Sequence, residues 1–203
     1  MTALVIPTEA PRVEGPPQGR WTYNDWERLP DDGNRYEVIS GCLYMTTAPS
    51  NFHQWIIQNL YDHIGFPLKQ QGLGYSFFAP IGVLMPGCEP VQPDFVVVLK
   101  ANAGIIQNRR IRGVPDIIVE VLSPGNADYD REIKREAYER AGVPEYAMID
   151  PTARTLTHYC LTSAGGYGPP QQHNASATFA FVCLPALALP VAALFEGSPD
   201  TAP

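Results

Sequence analysis

Two carboxylates stand where apolar strands would be expected to carry valine. In "VEVLSPGNADYDREIK", Glu120 interrupts the apolar run Ile117 to Leu122, and in "VQPDFVVVL" Asp94 opens a second run. A lone ionised carboxylate in such a place costs several kcal/mol unless it is paired or bound to a metal. Side chains alternate along a strand, so Glu120 shares a face with Ile118 and Leu122. If the two runs pair in one sheet, Asp94 and Glu120 converge near the strand ends. Acidic oxygens converging without cysteine or histidine suit a hard cation, Mg2+ or Mn2+, rather than zinc.

A third group comes from the helix expected over Ala127 to Ala141. At about 100° per residue, Ile133, Ala137, Tyr138 and Ala141 form its inward stripe, and Lys134 falls inside that stripe. Arg131, Arg135, Glu136 and Glu139 mostly point elsewhere. Asp130 precedes the lysine by four residues, the favourable order for a carboxylate–lysine pair. A lysine aimed at two metal-binding carboxylates can position and polarise a water attacking phosphorus, while the metal neutralises charge growing on the phosphate. The competing readings are a buried structural ion pair for Glu120 and Lys134 and a strand-capping turn residue for Asp94. A third charge at a strand end favours the site. Asp116 is read as a turn residue. Ser123 has no G-x-S-x-G around it and is read the same way.

The elements that must hold these groups follow from pattern. "TYNDWERLP" reads as a short helix capped by Thr22, and "RYEVISGCLYM" as a hairpin turning at Ser40-Gly41. "PSNFHQWIIQNLYDHIG" reads as a helix capped by Ser50 or Asn51, with Phe52, Ile56, Leu60 and Ile64 on one side. Three extended runs follow, "YSFFAPIGVLM", "DFVVVL" and "DIIVEVLS"; the last two are continuously apolar, as strands covered on both faces are. After the second helix, "EYAMID" and "TLTHYCL" resume strand character. The expected fold is α/β (α+β), a mixed central sheet flanked by helices. It occupies residues 21–196 as one domain, between flexible tails at 1–20 and 197–203.

Composition limits the functions. A chain of 203 residues, 45% hydrophobic and 17% charged, suits a single domain. A formal charge of −7 argues against coating nucleic acid through bulk electrostatics, though not against a local basic groove. "NRRIRG", with Arg109, Arg110 and Arg112, is either such a phosphate-contacting loop or a solvated one. Cys42, Cys88, Cys160 and Cys183 form no C-x-x-C pair, and the start has no signal-peptide pattern, so a cytoplasmic protein with reduced thiols is expected. "FAFVCLPALALPVAALF" is interrupted by Pro185 and Pro190 and falls short of the roughly 20 apolar residues of a membrane span. It reads as a core strand followed by a packed loop. His53, on the apolar stripe of the first long helix, and Glu37, within the first hairpin strand, are each either structural or accessory to the site.

Taken in order, "RYEVISGCLYM", "APSNFHQWI", "QPDFVVV" and "GVPDIIVEVLSPGNADYDREIKREAYERAGVPEYAMIDP" resemble the Uma2 family of restriction endonuclease-like proteins, within the PD-(D/E)XK nuclease superfamily. The likeness runs from Trp21 to Phe195. It implies a restriction-endonuclease-like fold and metal-dependent hydrolysis of DNA, leaving a 5′-phosphate. It places the motif aspartate at Asp94 and the strand glutamate at Glu120. The lysine is moved from two residues after the glutamate, here Leu122, to the helix at Lys134. It adds the carbonyl of Val121 as a metal ligand. The family also has a glutamate and a histidine where Glu37 and His53 stand, as a second ligand or a water-positioning group. Ser40 and Ala147 depart from the acidic residue and the tryptophan frequent in the family, and neither belongs to the implied site. A homodimer would give two symmetric sites for two strands. The alternatives are a catalytically inactive nucleic-acid-binding or regulatory module of the same fold, and a protein-interaction domain using the apolar C-terminal stretch.

Overall fold

Strand parity decides which side of the molecule each residue serves. The computed structural model describes residues 13–46, 48–123 and 127–198. A short helix α1 (Tyr23–Trp26) precedes the hairpin β1 (Arg35–Ile39) and β2 (Cys42–Thr46). Helix α2 (Asn51–Leu60) continues through a π-helical turn (Tyr61–Gly65) into α3 (Phe66–Gln70). Then come β3 (Gly74–Phe78), β4 (Val83–Met85), β5 (Cys88–Val91), β6 (Phe95–Leu99), β7 (Ile111–Arg112) and β8 (Ile117–Val121). A second π-helical turn (Tyr129–Lys134) leads into α4 (Arg135–Ala141). The chain ends with β9 (Glu145–Asp150), β10 (Thr155–Cys160), β11 (Gln171–Asn174) and the small pair β12 (Thr178–Phe179) and β13 (Leu189–Pro190).

The central sheet is mixed, in the order β11-β10-β9-β8-β6-β3, with β8 and β9 parallel and the other pairs antiparallel. Phe95, Val97, Ile117, Val119, Val121, Ala147 and Ile149 turn one face towards α2, α3 and the C-terminal segment. Val96, Val98, Ile118, Leu122, Tyr146 and Met148 turn the other towards α4 and a second sheet, β2-β1-β5-β4-β7. Both faces are dry, which is why the runs in β6 and β8 are apolar without alternation.

The local signals act as the sequence indicated. Thr22 closes a capping box with Asp25, the Ser50 side chain accepts from the His53 N–H, and Gly142 ends α4 in the left-handed region at φ 86°. The run "YSFFAPIGVLM" differs from expectation. It breaks at Pro80, which has no N–H to give a ladder, and its halves join different sheets, Phe78 opposite Phe95 and Val83 opposite Val91. Residues 1–12 and 199–203 of the expected tails lie outside the described residues. The rest of the N-terminal stretch is tied to the hairpin: Gln18 exchanges side-chain hydrogen bonds with the Leu43 backbone at 2.7 and 3.1 Å, and Gly19 N–H donates to the Gly41 carbonyl at 2.8 Å. All four cysteines are unpaired. Among the described residues, no helix is long and apolar enough to cross a membrane.

The apolar C-terminal segment packs on the helical face through Phe179, Phe181, Leu184, Leu187, Val191, Leu194 and Phe195. Glu145 fastens it there. One carboxylate oxygen accepts from Cys183 N–H at 2.8 Å, and the other from Val182 N–H and His158 Nε2, both at 2.8 Å. Burial would raise this carboxyl, but the His158 and Cys183 hydrogen bonds, with the Val182 amide, hold it below its ordinary 4.5. Its stabilisation is therefore present above pH 4.5 and lost as pH falls through the lower native value. In Glu145→Gln a side-chain NH2 must face a backbone N–H or the imidazole, so a loss of about 1–3 kcal/mol is expected at pH 7. Urea unfolding should show that gap narrowing at acid pH; a gap that is as wide at pH ~3 as at pH ~7 contradicts the carboxylate's role.

Candidate active site

The site begins with a proline. β6 and β8 pair with Phe95 against Val119, and the same register continued by one hydrogen-bonded pair sets Pro93 against Val121. Leu122 gives its N–H to Ile149 of β9 at 2.8 Å, so the N–H and C=O of Val121, one residue earlier, point to the β6 side. Pro93 has no N–H for that carbonyl. The Val121 N–H is taken instead by Asp94 Oδ2 at 2.9 Å. The Pro-Asp pair thus leaves a backbone carbonyl without a ladder donor and sets a carboxylate beside it.

Glu120 comes next to Asp94. Asp94 N–H donates to Glu120 Oε2 at 3.3 Å, and Tyr138 O–H donates to Glu120 Oε1 at 2.7 Å. Lys134 reaches the same carboxylate from the helix, Nζ lying 3.0 Å from Glu120 Oε1. The ammonium is also 3.4 Å from Glu37 Oε1 and 3.4 Å from Asp130 Oδ1. Glu37 points inward because alternate positions of β1 split: Tyr36 and Val38 pack outward with Trp21 and Leu43, while Ile39 faces the interior. Glu37 accepts from Gln92 N–H at 2.6 Å and from Tyr129 O–H at 3.2 Å. His53 Nε2 meets Asp94 Oδ2 at 3.0 Å from the opposite face of the sheet.

Asp94, Glu120, Lys134, Glu37 and His53 therefore form one connected network. Arg109, Arg110 and Arg112 do not belong to it. Arg110 lies over the Trp26 ring at 5.1 Å, Arg112 over the Tyr23 ring at 5.2 Å, and Arg110 Nη1 donates to the Arg109 carbonyl at 2.7 Å. Arg110 and Arg112 thus stack on α1, where guanidinium–ring contacts offer nearby partners. The arginine that does reach the acids is Arg35, with Nη1 3.6 Å from Asp94 Oδ1 and Nη2 donating to the Gln92 carbonyl at 2.5 Å. The sequence reading missed it, although a signal existed: Arg35 shares strand parity with Glu37. Tyr138 was read only as part of the helix stripe, one turn after Lys134.

Burial and charge pull the acids apart. Burial pushes Glu120 well above the usual carboxylate range against the pull of Lys134, because Asp94, Asp130 and Glu37 compete for the same ammonium. Asp130 is likewise pushed by burial up to about 7. Asp94 goes the other way: burial would raise it, but the His53 hydrogen bond and the charges of His53, Lys134 and Arg35 bring it down to about 2. Burial alone would lower Lys134, yet Glu120, Glu37, Asp130 and Asp94 hold it above its ordinary range. Four acids outnumber the groups that can carry positive charge among them, Lys134, Arg35 and His53. Asp94 and Glu120 offer carboxylate oxygens only, the donor chemistry that a hard divalent cation takes.

A second group of ligating atoms, from Glu145, His158 and Cys160, lies within 4.8 Å of one another. It does not form a comparable centre. Cys160 Sγ sits 3.5 and 3.8 Å from the two ring nitrogens of His158, nearly equidistant, and so lies along the lone pair of neither. The Nε2 atom and both Glu145 oxygens are already committed to the fastening of the C-terminal segment.

A mixed sheet gathering acids and a helix-borne lysine at its strand ends defines an α/β protein of the restriction-endonuclease-like fold. A crystal structure from Anabaena variabilis, described as "a putative nuclease belonging to DUF820", matches with a TM-score of 0.73 at 19% identity, over 86% of this chain and 97% of that one. The chain belongs to the Uma2 family, described as "Putative restriction endonuclease", whose model matches residues 22–192. No curated protein matches it.

Removing the amine tests the charge balance directly. Lys134→Met leaves Glu120, Glu37 and Asp130 facing one another, and a loss of about 3–5 kcal/mol is expected at pH ~8. A carboxyl raised in the native state binds protons that the unfolded chain has released, so its ionisation destabilises the fold as pH rises towards about 7. The deficit of the variant should accordingly shrink at pH ~5.5 in urea unfolding. A variant as stable as the wild type at pH ~8 would remove the ammonium from its assigned role.

Proposed function

We propose that the chain is a metal-dependent endonuclease that hydrolyses phosphodiester bonds of DNA. One observation carries this reading: the Asp94 amide and the Lys134 ammonium meet on the Glu120 carboxylate at 3.3 and 3.0 Å, which brings two acids and an amine from distant parts of the chain together. Asp94, Glu120 and the Val121 carbonyl would hold Mg2+ or Mn2+. Once bound, the cation would supply Lewis-acid stabilisation of the charge growing on the phosphate.

The remaining work falls to side chains. Lys134 Nζ is a donor held rigidly by its acids, and it orients the attacking water and faces the negative charge that develops in the transition state. His53 and Arg35 occupy the two oxygens of Asp94 and fix its orientation. Glu37 braces the ammonium from the second sheet. The leaving group is the sugar 3′ oxygen, which yields a 5′-phosphate end. Two copies about a twofold axis would serve the two strands. The reduced state of four unpaired cysteines suits the cytoplasm.

One finding favours the regulatory form of the alternative, a catalytically inactive module of the same fold. Two of the three loop arginines that could have supplied phosphate contacts, Arg110 and Arg112, are stacked on α1 rings, in a chain of net charge −7. The two readings separate in a plasmid assay with Mg2+ or Mn2+. Cleavage is expected from the wild type, with a fall of about 10²-fold or more in Glu120→Gln and Lys134→Met, the size typical of removing one preorganised charge-stabilising group. Plasmid that stays intact under wild-type protein, while still bound, sinks the nuclease reading. A readout independent of turnover is thermal stabilisation by Mn2+. A ligand at about 100 times its dissociation constant adds about 2.7 kcal/mol. The shift should be larger at pH ~8 than at pH ~5.5, because protons compete for the same oxygens, and it should vanish in Glu120→Gln.

A further inference from the structure

A cleft of about 300 Å³ opens beside His53, with Leu122, Ser123, Arg131 and Asp150 among its walls. Three independent features give it a chemical character. The first is a preorganised guanidinium. Asp150 Oδ1 accepts the N–H groups of Thr152 and Ala153, both at 2.9 Å, and this fixes the carboxylate whose Oδ2 holds Arg131 Nη2 at 2.9 Å. Arg131 remains 46% exposed, and of its five donors this ion pair uses one. The second is the N-terminal end of the ten-residue helix α2, which reaches the cleft through Ser50, Phe52 and His53 and carries the positive end of the helix dipole. The third is His53 Nδ1, a buried ring nitrogen with no hydrogen-bond partner among the described residues, in a side chain that is 7% exposed.

We propose that this cleft is a phosphate subsite, in which Arg131 and the α2 N-terminus grip a backbone phosphate of a nucleic-acid strand next to the one being cleaved. The identity of the ligand as a strand rests on the nuclease reading; the anion-binding chemistry does not. Position supports the link. Arg131 lies three residues before Lys134 on the same wide helical turn, and His53 joins the cleft to Asp94 at 3.0 Å. The amine therefore faces the acids while the guanidinium, on the next face of that turn, faces the cleft. This also supplies a local cation beside the network, which the Arg109–Arg112 loop does not.

The test uses the full chain in EDTA, so that binding is read without cleavage, and follows a labelled oligonucleotide by anisotropy between roughly 50 and 200 mM salt. Arg131→Ala should weaken binding about tenfold, and it should lower the slope of log K against log salt by about 0.7–0.9, one phosphate contact. Arg131→Lys should keep the slope. A variant that melts lower but binds with wild-type affinity and slope marks the Arg131–Asp150 pair as structural and overturns the subsite. A thermal shift by inorganic phosphate that Arg131→Ala abolishes, with oligonucleotide binding untouched, assigns the cleft to a free anion and overturns the strand. Wild-type protein that binds in an Arg131-dependent way yet never cleaves with Mg2+ keeps the subsite and removes only the nuclease reading.

Discussion

The structure depends on one buried ammonium. Lys134 sits among Glu120, Glu37 and Asp130 with almost no access to water, and without it these carboxylates could not share an interior. An ion pair in such surroundings stabilises only if the remaining lone pairs are also met. They are met here by ordinary neighbours: Tyr138 and the Asp94 amide on Glu120, Tyr129 and the Gln92 amide on Glu37, and His53 and the Val121 amide on Asp94. The network is complete enough to fold and still carries more acid than base. That imbalance is the physical reason to regard it as a place for a cation rather than a finished salt bridge.

Backbone geometry does the positioning. A strand shifted by one residue would turn Glu120 towards the α2 face, away from the lysine. The register is held by dry packing on both faces, with Val119 and Val121 on one side and Ile118 and Leu122 on the other. Pro93, with no N–H to give, does not extend the β6–β8 ladder past the Phe95–Val119 pair. The wide turn Tyr129–Lys134 brings Asp130 and Lys134 to the same side before α4 resumes with Ala137, Tyr138 and Ala141 inward.

Those features that depend on neighbours in sequence were legible in it. Alternation assigned Glu120 to the face of Ile118, the helical period turned Lys134 inward, and the caps at Thr22 and Ser50 stand where side-chain chemistry puts them. What was not legible depends on partners far along the chain. Nothing near "NRRIRG" in sequence indicates that Arg110 and Arg112 stack on rings, because those rings, Trp26 and Tyr23, lie far back in the chain. The second sheet, which lies with α4 across one face of the central one, was not legible, because Pro80 lets the run after β3 change sheets. Arg35 was hidden by looking ordinary at the start of a hairpin, where a charged residue needs no explanation. The family resemblance assigned roles to Asp94, Glu120 and Lys134; the residues themselves determined where those side chains point.

The protein contains two buried carboxylate–histidine pairs, and the contrast between them shows why residue type alone does not make a site. Glu145 and His158 meet at 2.8 Å, Asp94 and His53 at 3.0 Å. Around Glu145 both oxygens are filled by backbone amides, and the His158 ring is walled edge-on by Phe179 and Phe181. Nothing is left over, so the pair can only fasten. Around Asp94 the neighbours are Pro93, a second carboxylate and a guanidinium 3.6 Å away, and His53 keeps one ring nitrogen unpartnered among the described residues, beside a cleft. What separates the pairs is their surroundings: of the two, only Asp94 lies beside a second carboxylate, and only His53 keeps a ring nitrogen without a partner among the described residues.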